Sequence, residues 1–362
     1  MQQIVGSNRT MLVSGPASVS VVSGRAEVFG YQLKHAVKTV VREGKRLPFF
    51  VPEKAVFNIS LGANANIEEA EGSTIPESWN KPLKAILSVQ KKPLVVLLLG
   101  KIDSGKSSYC TYLVNKLVNG ECKVAVLDGD LGQSDIGPSG TAGYAVISKP
   151  LTELYNLKFK NAFFVGVTSP IMAVAKTIEG LAALKAEILR RPVDFVVVNT
   201  DGWVTGDIAV SYKTQLVEEL KPDVIVGVQV EDELRSIIAY LDNTSVILVE
   251  PSSSLNQRSA EKRKSLREMT YAKYLKDAKL QNYPLSQVTI EPRNALPTSQ
   301  RPEKGLLVGL YDSGSKFLGI GVLREINSER KALKVQTAIS AKPQRLVFGK
   351  IILNEKLQEI QD

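Results

Sequence analysis

The chain has 362 residues, 44% hydrophobic and 23% charged, a normal composition for a globular protein and too much chain for one ordinary core. Its two cysteines form no CxxC pair and its single histidine has no partner motif, which argues against structural zinc and Cys/His catalysis. The formal net charge of +9 favours contact with a polyanion such as nucleic acid, although a basic surface without a partner is the alternative.

The N-terminus and the apolar runs bear on cellular location. Residues Met1 to Thr10 are polar and show no signal peptide, and the apolar run Leu94–Leu99 is too short to span a membrane. The sparse cysteines fit a reducing compartment. We therefore expect a soluble, cytoplasmic protein without a membrane partner.

Residues 1–85 predict a small N-terminal β domain. Short apolar segments alternate at period two, and glycines mark the turns between them, a pattern typical of a sandwich or barrel. The predicted strands are Ala17–Val22, Ala26–Phe29, Lys38–Val41 and Ala55–Leu61.

Residues 86–283 predict an α/β domain with a mainly parallel sheet. The continuous apolar run Leu94–Leu99 is typical of a strand buried on both faces, and strands then alternate with helical segments. The predicted helices are Lys106–Val118, Ile171–Leu189 and Ala209–Leu220; the further strands are Val124–Asp128, Asn161–Val167, Phe195–Asn199, Val224–Val230 and Val246–Glu250.

The last part of the chain returns to β structure. Residues 256–280 are charged and helical in character, and the proline-rich stretch 284–302 predicts a linker. Residues 284–362 predict a C-terminal β domain, so the fold class is a central α/β domain with a mainly parallel sheet, flanked by two small β domains. Its expected strands are Leu306–Tyr311, Phe317–Leu323, Ala332–Thr337 and Leu346–Leu353.

The strongest motif follows the first buried strand. Gly100, Gly105, Lys106 and Ser107 fit G-x-x-x-x-G-K-[ST], a loop whose N–H groups surround phosphate oxygens at the start of a helix. Lys106 is expected to reach the β- and γ-phosphates, and Ser107 to bind Mg²⁺. The predicted ATP-binding residues are Gly100, Lys101, Ile102, Asp103, Ser104, Gly105, Lys106, Ser107 and Ser108.

Lys101 leaves a second class of protein open. A lysine directly after the first glycine also marks P-loop ATPases in which that lysine reaches across a dimer. In that branch two glycines usually stand where this chain has Ile102 and Asp103. The alternative is a solvated loop lysine, which we favour.

An acidic motif ends the second predicted strand. Asp128 and Asp130 lie at the carboxyl end of a parallel strand, where ligands bind in open α/β sheets. Asp130 is expected to hold Mg²⁺ or accept a proton from an attacking hydroxyl, because Gly129 and Gly132 allow the chain to turn it inward. Either acid could instead cap the turn. Gln133 could orient a phosphate or a nucleic-acid end.

Two further loops follow buried strands. Trp203 lies next to a glycine on a loop, where its indole could stack on a base of a single strand or pack beneath the loop. Thr168 could contact phosphate through its hydroxyl. In the alternative, this loop caps a helix, with Ser169 at the N-cap and Pro170 at the first helical position.

A basic helix is predicted within 258–274. Arg263 and Arg267 are four residues apart and share one helical face. A guanidinium over the γ-phosphate would stabilise the charge that develops during phosphoryl transfer. From the charge run alone, a solvated helix that attracts nucleic acid non-specifically is the simpler interpretation.

Together these motifs resemble the RNA 5′-hydroxyl polynucleotide kinases, a family that includes the kinase subunit of the eukaryotic pre-mRNA cleavage complex, pre-rRNA-processing kinases and archaeal relatives. The resemblance covers nearly the whole chain and suggests an archaeal member. It rests on Asp103-Ser104-Gly105-Lys106-Ser107-Ser108, Asp128-Gly129-Asp130-Leu131-Gly132-Gln133, Thr168-Ser169-Pro170, Asp201-Gly202-Trp203 and the R-x-x-x-x-R spacing of Arg258 and Arg263.

The resemblance implies a role for each matching residue. Asp130 would position Mg²⁺ and help activate the hydroxyl, and Thr168 would belong to a clasp around the phosphates. Trp203 would stack on the terminal RNA base. Arg258 and Arg263 would be lid arginines that contact phosphate, which replaces the solvated-helix interpretation.

The expected function is an ATP-dependent kinase that phosphorylates the 5′-hydroxyl end of RNA, with DNA as a second acceptor class. The catalytic residues would be Lys106, Asp130, Arg258 and Arg263; the metal ligands Ser107 and Asp130; the RNA-binding residues Gln133, Thr168 and Trp203. The alternatives are a non-catalytic ATP-binding scaffold of an RNA-processing complex and a dimeric P-loop ATPase. The sequence identifies no protein partner.

Overall fold

The computed structural model describes residues 1–241, 244–255, 257–291, 304–327 and 329–360. Three sheets and six α-helices are found in these residues. In chain order the elements are β1 (Gln2–Val5), β2 (Arg9–Ser14), β3 (Ala17–Val28), β4 (Tyr31–Gln32), β5 (Thr39–Val41), β6 (Arg46–Leu61), β7 (Asn66–Glu71), α1 (Asn80–Ser88), β8 (Leu94–Leu99), α2 (Lys106–Asn119), β9 (Val124–Gly129), β10 (Thr141–Ile147), β11 (Asn161–Phe164), α3 (Val174–Leu189), β12 (Phe195–Thr200), α4 (Asp207–Leu220), β13 (Val224–Val228), α5 (Arg235–Ile238), β14 (Ser245–Val249), α6 (Ala260–Tyr274), β15 (Lys279–Pro284), β16 (Thr289–Glu291), β17 (Leu306–Tyr311), β18 (Phe317–Asn327), β19 (Ala332–Thr337) and β20 (Arg345–Ile352).

Backbone contacts group the chain into two units. The first comprises Met1–Val126, Val146–Leu154 and Arg191–Arg258. The second comprises Leu127–Ala145, Tyr155–Arg190 and Ser259–Asp362. The three domains expected from the sequence, 1–85, 86–283 and 284–362, stay a prediction.

The first unit contains an N-terminal antiparallel sheet. Its strand order is β4-β3-β6-β2-β7, with β1 on β6 and β5 on β3. Strand β3 joins the two segments predicted at 17–22 and 26–29, because register shifts between Val21 and Glu27 keep one strand paired with β6 past Gly24. Alternate residues of β3 are buried from Ala17 to Val21, as the period-two pattern predicted.

The first unit also contains the parallel strands that carry the P-loop. Strand β8 pairs in parallel with β12 on one side and with β13 on the other, and β13 pairs with β14. All six residues of β8 are buried, which confirms the central strand predicted from its apolar run. The carboxyl ends of these strands therefore lie at one edge of the sheet, where ligands bind in such folds.

The second unit contains the C-terminal sheet and the paired segments Thr141–Tyr144 of β10 and Asn161–Phe164 of β11. Strand β10 was not predicted, and it pairs antiparallel with β11. The C-terminal sheet has the order β15-β19-β18-β17-β20-β16. Phe164 at the end of β11 is fully buried in a cluster with residues of that sheet, and its backbone N–H donates to the Tyr311 hydroxyl at 2.7 Å.

Some local predictions differ from the structure, among them a helix start, a helix cap and a linker. The helix expected from Ile171 begins at Val174, because Ala173 has an extended φ of −162° and Pro170–Met172 form a separate 3₁₀ turn. Ser169 precedes that turn, and its side chain makes no capping hydrogen bond. Within the linker predicted at 284–302, Thr289–Glu291 form β16, and 292–302 lie outside the described residues.

Among the residues that the structure describes, none of the helices combines the length and apolar character needed to cross a bilayer.

Candidate functional site

The P-loop leaves β8 through a backbone conformation that requires glycine. Gly100 has φ +154°, and a Cβ there would lie 2.5 Å from the carbonyl oxygen of Val228. Asp103 adopts a left-handed φ of +57°, and the loop then enters α2 at Lys106. Since the loop ends at a helix N-terminus, the backbone N–H groups there and the helix dipole favour an anion.

Lys106 is folded over the loop that precedes it. Its ammonium donates to the carbonyl oxygens of Gly100 at 2.8 Å and Lys101 at 2.7 Å, and the residue is only 6% exposed. These bonds hold the cation at the loop rather than in solvent. An ammonium held in this way places one positive charge where phosphate oxygens would bind.

Two hydroxyls of the P-loop have distinct surroundings. The Ser107 hydroxyl, in the first turn of α2, accepts a long hydrogen bond of 3.5 Å from the side-chain amide of Asn199, near the end of β12. The Ser104 hydroxyl is buried and has no hydrogen-bond partner within the described part of the chain. A buried hydroxyl without a partner costs free energy, so Ser104 fits a site where a ligand oxygen supplies the acceptor.

Arg258 lies against the P-loop. Its backbone N–H donates to Asp103 Oδ2 at 3.0 Å, and its guanidinium lies 3.5 Å from Asp103 Oδ1. Both side chains are largely buried. Arg258, for which the resemblance implies a role in the lid, is therefore held beside the phosphate-binding loop by an acid of that loop.

Lys101 pairs with an acid of its own chain. Its ammonium lies 3.7 Å from the carboxylate of Glu233. Burial alone would raise the pKa of Glu233, but the backbone N–H groups of Val230 and Glu231 donate to its carboxylate and lower that pKa below the ordinary value. Glu233 thus stays ionised, and Lys101 has a local partner.

Trp203 is half-buried on the loop between β12 and α4. One face of its indole stacks on the Tyr212 ring, with centroids 5.7 Å apart and an interplanar angle of 22°. The two sequence interpretations, base stacking and packing beneath the loop, are therefore not exclusive, because an indole has two faces.

In the second unit, Asp128 braces the loop that follows β9. Its carboxylate is fully buried, and Oδ2 accepts the backbone N–H groups of Asp135 at 2.7 Å and Ile136 at 3.1 Å. Its Oδ1 accepts the N–H of Asp130 at 3.3 Å. These bonds to a buried carboxylate make Asp128 a structural centre of the loop.

Asp130 is the more exposed of the two acids. It is partly buried, and its Oδ1 accepts the backbone N–H groups of Gly132 at 3.1 Å and Gln133 at 2.9 Å. This capping fixes the rotamer of the carboxylate within the turn. Asp130 therefore presents an oriented oxygen donor, as either a metal ligand or a proton acceptor requires.

The same loop contacts the predicted lid helix and the predicted clasp. The Gln133 amide donates to the Arg263 carbonyl oxygen at 3.1 Å. A Cβ on Gly132 would lie 2.8 Å from the Thr168 carbonyl oxygen, so the two backbones are in close contact. The second unit thus brings Asp130, Gln133, Thr168 and Arg263 to one neighbourhood.

Helix α6 is fixed at its start and its middle. Ser259 caps it by accepting the N–H of Lys262 at 3.2 Å. Further along, the Arg267 guanidinium makes two hydrogen bonds to the Glu359 carboxylate, at 2.7 and 2.6 Å. The helical register of Arg263 and Arg267 confirms the prediction that they are one turn apart on a helix.

Sequence reasoning missed several residues that build the site. Glu359 carries no local signal, because it lies 92 positions from its partner Arg267. Asn199, Tyr212 and Lys213 were seen only as parts of a strand end and a helix. Asp201 belongs to the tryptophan motif and directly follows β12, and a position at the end of a parallel strand is a signal for function.

The chain is similar to one protein family and to archaeal relatives. Residues 100–277 match the family described as mRNA cleavage and polyadenylation factor CLP1 P-loop. A polyribonucleotide 5′-hydroxyl-kinase of Methanocaldococcus jannaschii is 28% identical over 342 residues, which cover 79% of this chain and 94% of the relative. One of Thermococcus kodakarensis is 28% identical over 338 residues, covering 79% and 95%.

A solved structure shows the same fold. The wild-type Clp1p–Pcf11p complex contains a chain that superposes with a TM-score of 0.78 over 97% of both chains, at 13% sequence identity. At that identity the likeness concerns the fold, and it confirms a P-loop domain with flanking β-rich parts.

Proposed function

We infer that the chain, whose residues 100–277 match the CLP1 P-loop family, is a member of that family and an ATP-dependent polynucleotide kinase. It transfers the γ-phosphate of ATP to the 5′-hydroxyl end of RNA, the substrate class in the names of the relatives from Methanocaldococcus and Thermococcus. The observation that carries the proposal is the donor loop. The Lys106 ammonium donates hydrogen bonds to two carbonyl oxygens of this loop, and the Arg258 guanidinium pairs with the Asp103 carboxylate of the same loop.

Phosphoryl transfer depends on position and charge more than on covalent chemistry by the protein. The 5′ oxygen bonds to the γ-phosphorus while the bond from that phosphorus to the β–γ bridging oxygen breaks, so ADP leaves with the electron pair. Asp130 accepts the hydroxyl proton. Lys106, Arg258 and Arg263 stabilise the negative charge that spreads over the phosphoryl oxygens.

A magnesium ion fits the donor set that the chain offers. Ser107 supplies a hydroxyl oxygen at the start of α2, and Asp130 supplies a carboxylate oriented by the N–H groups of its own turn. Both are hard oxygen ligands of the kind Mg²⁺ prefers. When bound, Mg²⁺ supplies positive charge to the phosphate oxygens of ATP.

The acceptor end is held by Trp203, Gln133 and Thr168. Base stacking on an indole is sequence-tolerant, so the enzyme selects for an end rather than for a sequence. The net charge of +9 adds attraction to the phosphodiester backbone. Single-stranded or end-exposed RNA is the preferred acceptor and DNA the second class to test. A cytoplasmic location stays part of the proposal.

Two rival functions differ in measurable ways. A dimeric ATPase of the Lys101 type needs that lysine to reach a second chain, whereas here it pairs with Glu233 of its own chain. A non-catalytic scaffold has no need of Lys106, Asp130, Arg258 and Arg263 together.

The test is transfer of labelled γ-phosphate to matched 5′-hydroxyl RNA and DNA oligonucleotides. Wild type is expected to label RNA, and Asp130→Ala to lose most of the rate. Asp232→Ala is a matched control, because Asp232 is an exposed acid whose side chain is 71% accessible. No label on either oligonucleotide, with ATP still hydrolysed, would favour the ATPase.

A further inference from the structure

The Trp203 loop is built more rigidly than a surface loop needs to be. It lies between Gly202 and Gly206, which would leave the indole mobile if nothing held it. Loops that present an aromatic ring to a ligand gain affinity when the ring is held in its bound orientation beforehand. The contacts of this loop within the first unit show what holds it.

A buried carboxylate lies at the centre of these contacts. Asp201 Oδ1 accepts the backbone N–H of Trp203 at 2.9 Å. Its Oδ2 accepts the Tyr212 hydroxyl at 2.8 Å and the Lys213 ammonium at 2.8 Å. Asp201 is 5% exposed, so three donors compensate for the burial of its charge.

Lys213 is a fully buried cation on α4. Its side chain is 0% exposed, and its ammonium also donates to the Asp201 carbonyl oxygen at 3.1 Å. A buried ion pair contributes little net stability compared with apolar packing, and in some proteins it is kept because it specifies one geometry. Lys213 therefore holds Asp201 at both its backbone carbonyl oxygen and its carboxylate. These two contacts fix the chain two positions before Trp203.

Tyr212 links this network to the indole. The residue is 1% exposed, its hydroxyl is bonded to Asp201, and its ring stacks under Trp203. The Lys213 ammonium also lies 4.8 Å from the centroid of the Tyr212 ring, within cation–π range. The Tyr212 ring therefore contacts both the cation and the indole.

The same loop is pressed against the P-loop. A Cβ on Gly202 would lie 2.5 Å from the backbone nitrogen of Ile102, so only glycine allows this approach. Thr200, just before it, donates its hydroxyl to the Leu98 carbonyl oxygen at 2.7 Å. The distance from the indole to the phosphate-binding loop is therefore set by backbone contacts.

We propose that Asp201, Tyr212 and Lys213 are positioning residues that hold Trp203 as a preformed stacking platform for the terminal base of the acceptor. They act through the indole and touch neither ATP nor the reacting atoms. This inference rests on the proposed function, because the platform has a purpose only if a polynucleotide end is bound. It also specifies the substrate class further, as an end whose terminal base is unpaired.

The test is a double-mutant cycle on binding, which needs no phosphoryl transfer. The variants are Trp203→Ala, Tyr212→Leu and their combination. The readout is the Kd of a 5′-hydroxyl oligoadenylate labelled at its 3′ end, measured by fluorescence anisotropy. Trp203→Ala is expected to weaken binding by about ten- to a hundredfold, the range for loss of one stacked base.

Tyr212→Leu is expected to weaken binding by about threefold or more, and the double variant to bind no more weakly than Trp203→Ala alone. Tyr212→Phe keeps the ring and should bind more tightly than Tyr212→Leu. Tyr240→Leu, at a tyrosine that is 66% exposed, is the matched control and should bind like wild type. Calorimetric ATP binding verifies that each variant is folded.

The outcomes separate the inference from the function it rests on. Fold-changes that multiply in the double variant would overturn the inference, because Tyr212 would then act independently of Trp203. A wild type that binds the oligonucleotide with the coupled pattern yet transfers no phosphate would defeat the kinase and keep the platform. A wild type that does not bind the oligonucleotide would defeat both.

Discussion

Replacing Glu359 by alanine removes the carboxylate that holds helix α6 at its middle. In the folded protein this carboxylate receives two hydrogen bonds from Arg267 and one from the Tyr271 hydroxyl at 3.0 Å. The Glu359 backbone N–H in turn donates to Glu268 at 3.0 Å. The substitution therefore leaves a guanidinium and a phenol without their acceptor, on the helix that also carries Arg263.

The size of the expected stability loss follows from the burial of the Arg267–Glu359 pair. The Arg267 and Glu359 side chains are 18% and 11% accessible, so the pair lies between an exposed and a fully buried one. Exposed pairs contribute about 0–1 kcal/mol, and breaking a buried pair costs about 3–5 kcal/mol. We expect Glu359→Ala to lower the free energy of unfolding by about 2–4 kcal/mol. That corresponds to a fall of roughly 5–12 °C in the melting temperature of a unit of this size.

Differential scanning calorimetry measures the loss, and two variants bracket it. Glu359→Gln keeps an acceptor for Tyr271 and removes the charge, so its loss should be about half as large. Glu355→Ala is the matched control, because Glu355 pairs with Lys304 at side-chain accessibilities of 83% and 65%. It should change stability by less than about 0.5 kcal/mol. A Glu359→Ala protein that melts within about 1 °C of wild type would refute the reasoning.

Three other predictions concern the site. Lys106→Ala should abolish ATP binding in calorimetric titration, because the ammonium fixed over the loop carbonyls is lost; unchanged affinity would sink the P-loop assignment. Asp130→Ala should lower the transfer rate by about 10²–10⁴-fold with the protein still folded, and a full rate would refute its role as proton acceptor. The Kd of the oligonucleotide should rise steeply with salt as the backbone phosphates release counterions, whereas a flat dependence would argue against a basic RNA-binding surface.

The elements that could be predicted are those in which the pattern of apolar residues within the element itself indicates how it is buried. Strand β8 was found with its observed bounds, because all six residues are apolar and all six are buried. Strands β12 and β13 were found within two residues at each end, because they too are buried throughout. Helix α4 was found equally closely, because its buried residues recur at helical spacing. The P-loop was found because its chemistry needs consecutive backbone groups, and a contiguous motif records them.

The contacts that could not be predicted join distant positions. Arg267 and Glu359 are separated by 92 positions, and no local pattern indicates that they meet. Lys213 reads as an ordinary helix lysine, although the fold buries it completely against Asp201. Strand β10 lacks the strong apolar run of β8. Its residues pair with a strand that begins only at Asn161, so no pattern within β10 itself indicates the pairing.

The candidate site shows the same difference between contiguous motifs and contacts that join distant positions. The residues expected to touch ligands were predicted from motifs, and their roles stay predictions. The residues that support them, Asp128 under Asp130 and Tyr212 under Trp203, emerged from the structure. Supporting residues need only the right place in the fold, so their types and spacing carry little information.

The central claim is that phosphate moves from ATP to the 5′ end of RNA. The most direct measurement incubates labelled ATP with one RNA oligonucleotide in two forms, carrying either a 5′-hydroxyl or a 5′-phosphate, and then digests the product to nucleotides. The account predicts label on the 5′-hydroxyl form alone, all of it on the terminal nucleotide. Label that appears only as inorganic phosphate, or equally on both forms, would contradict it.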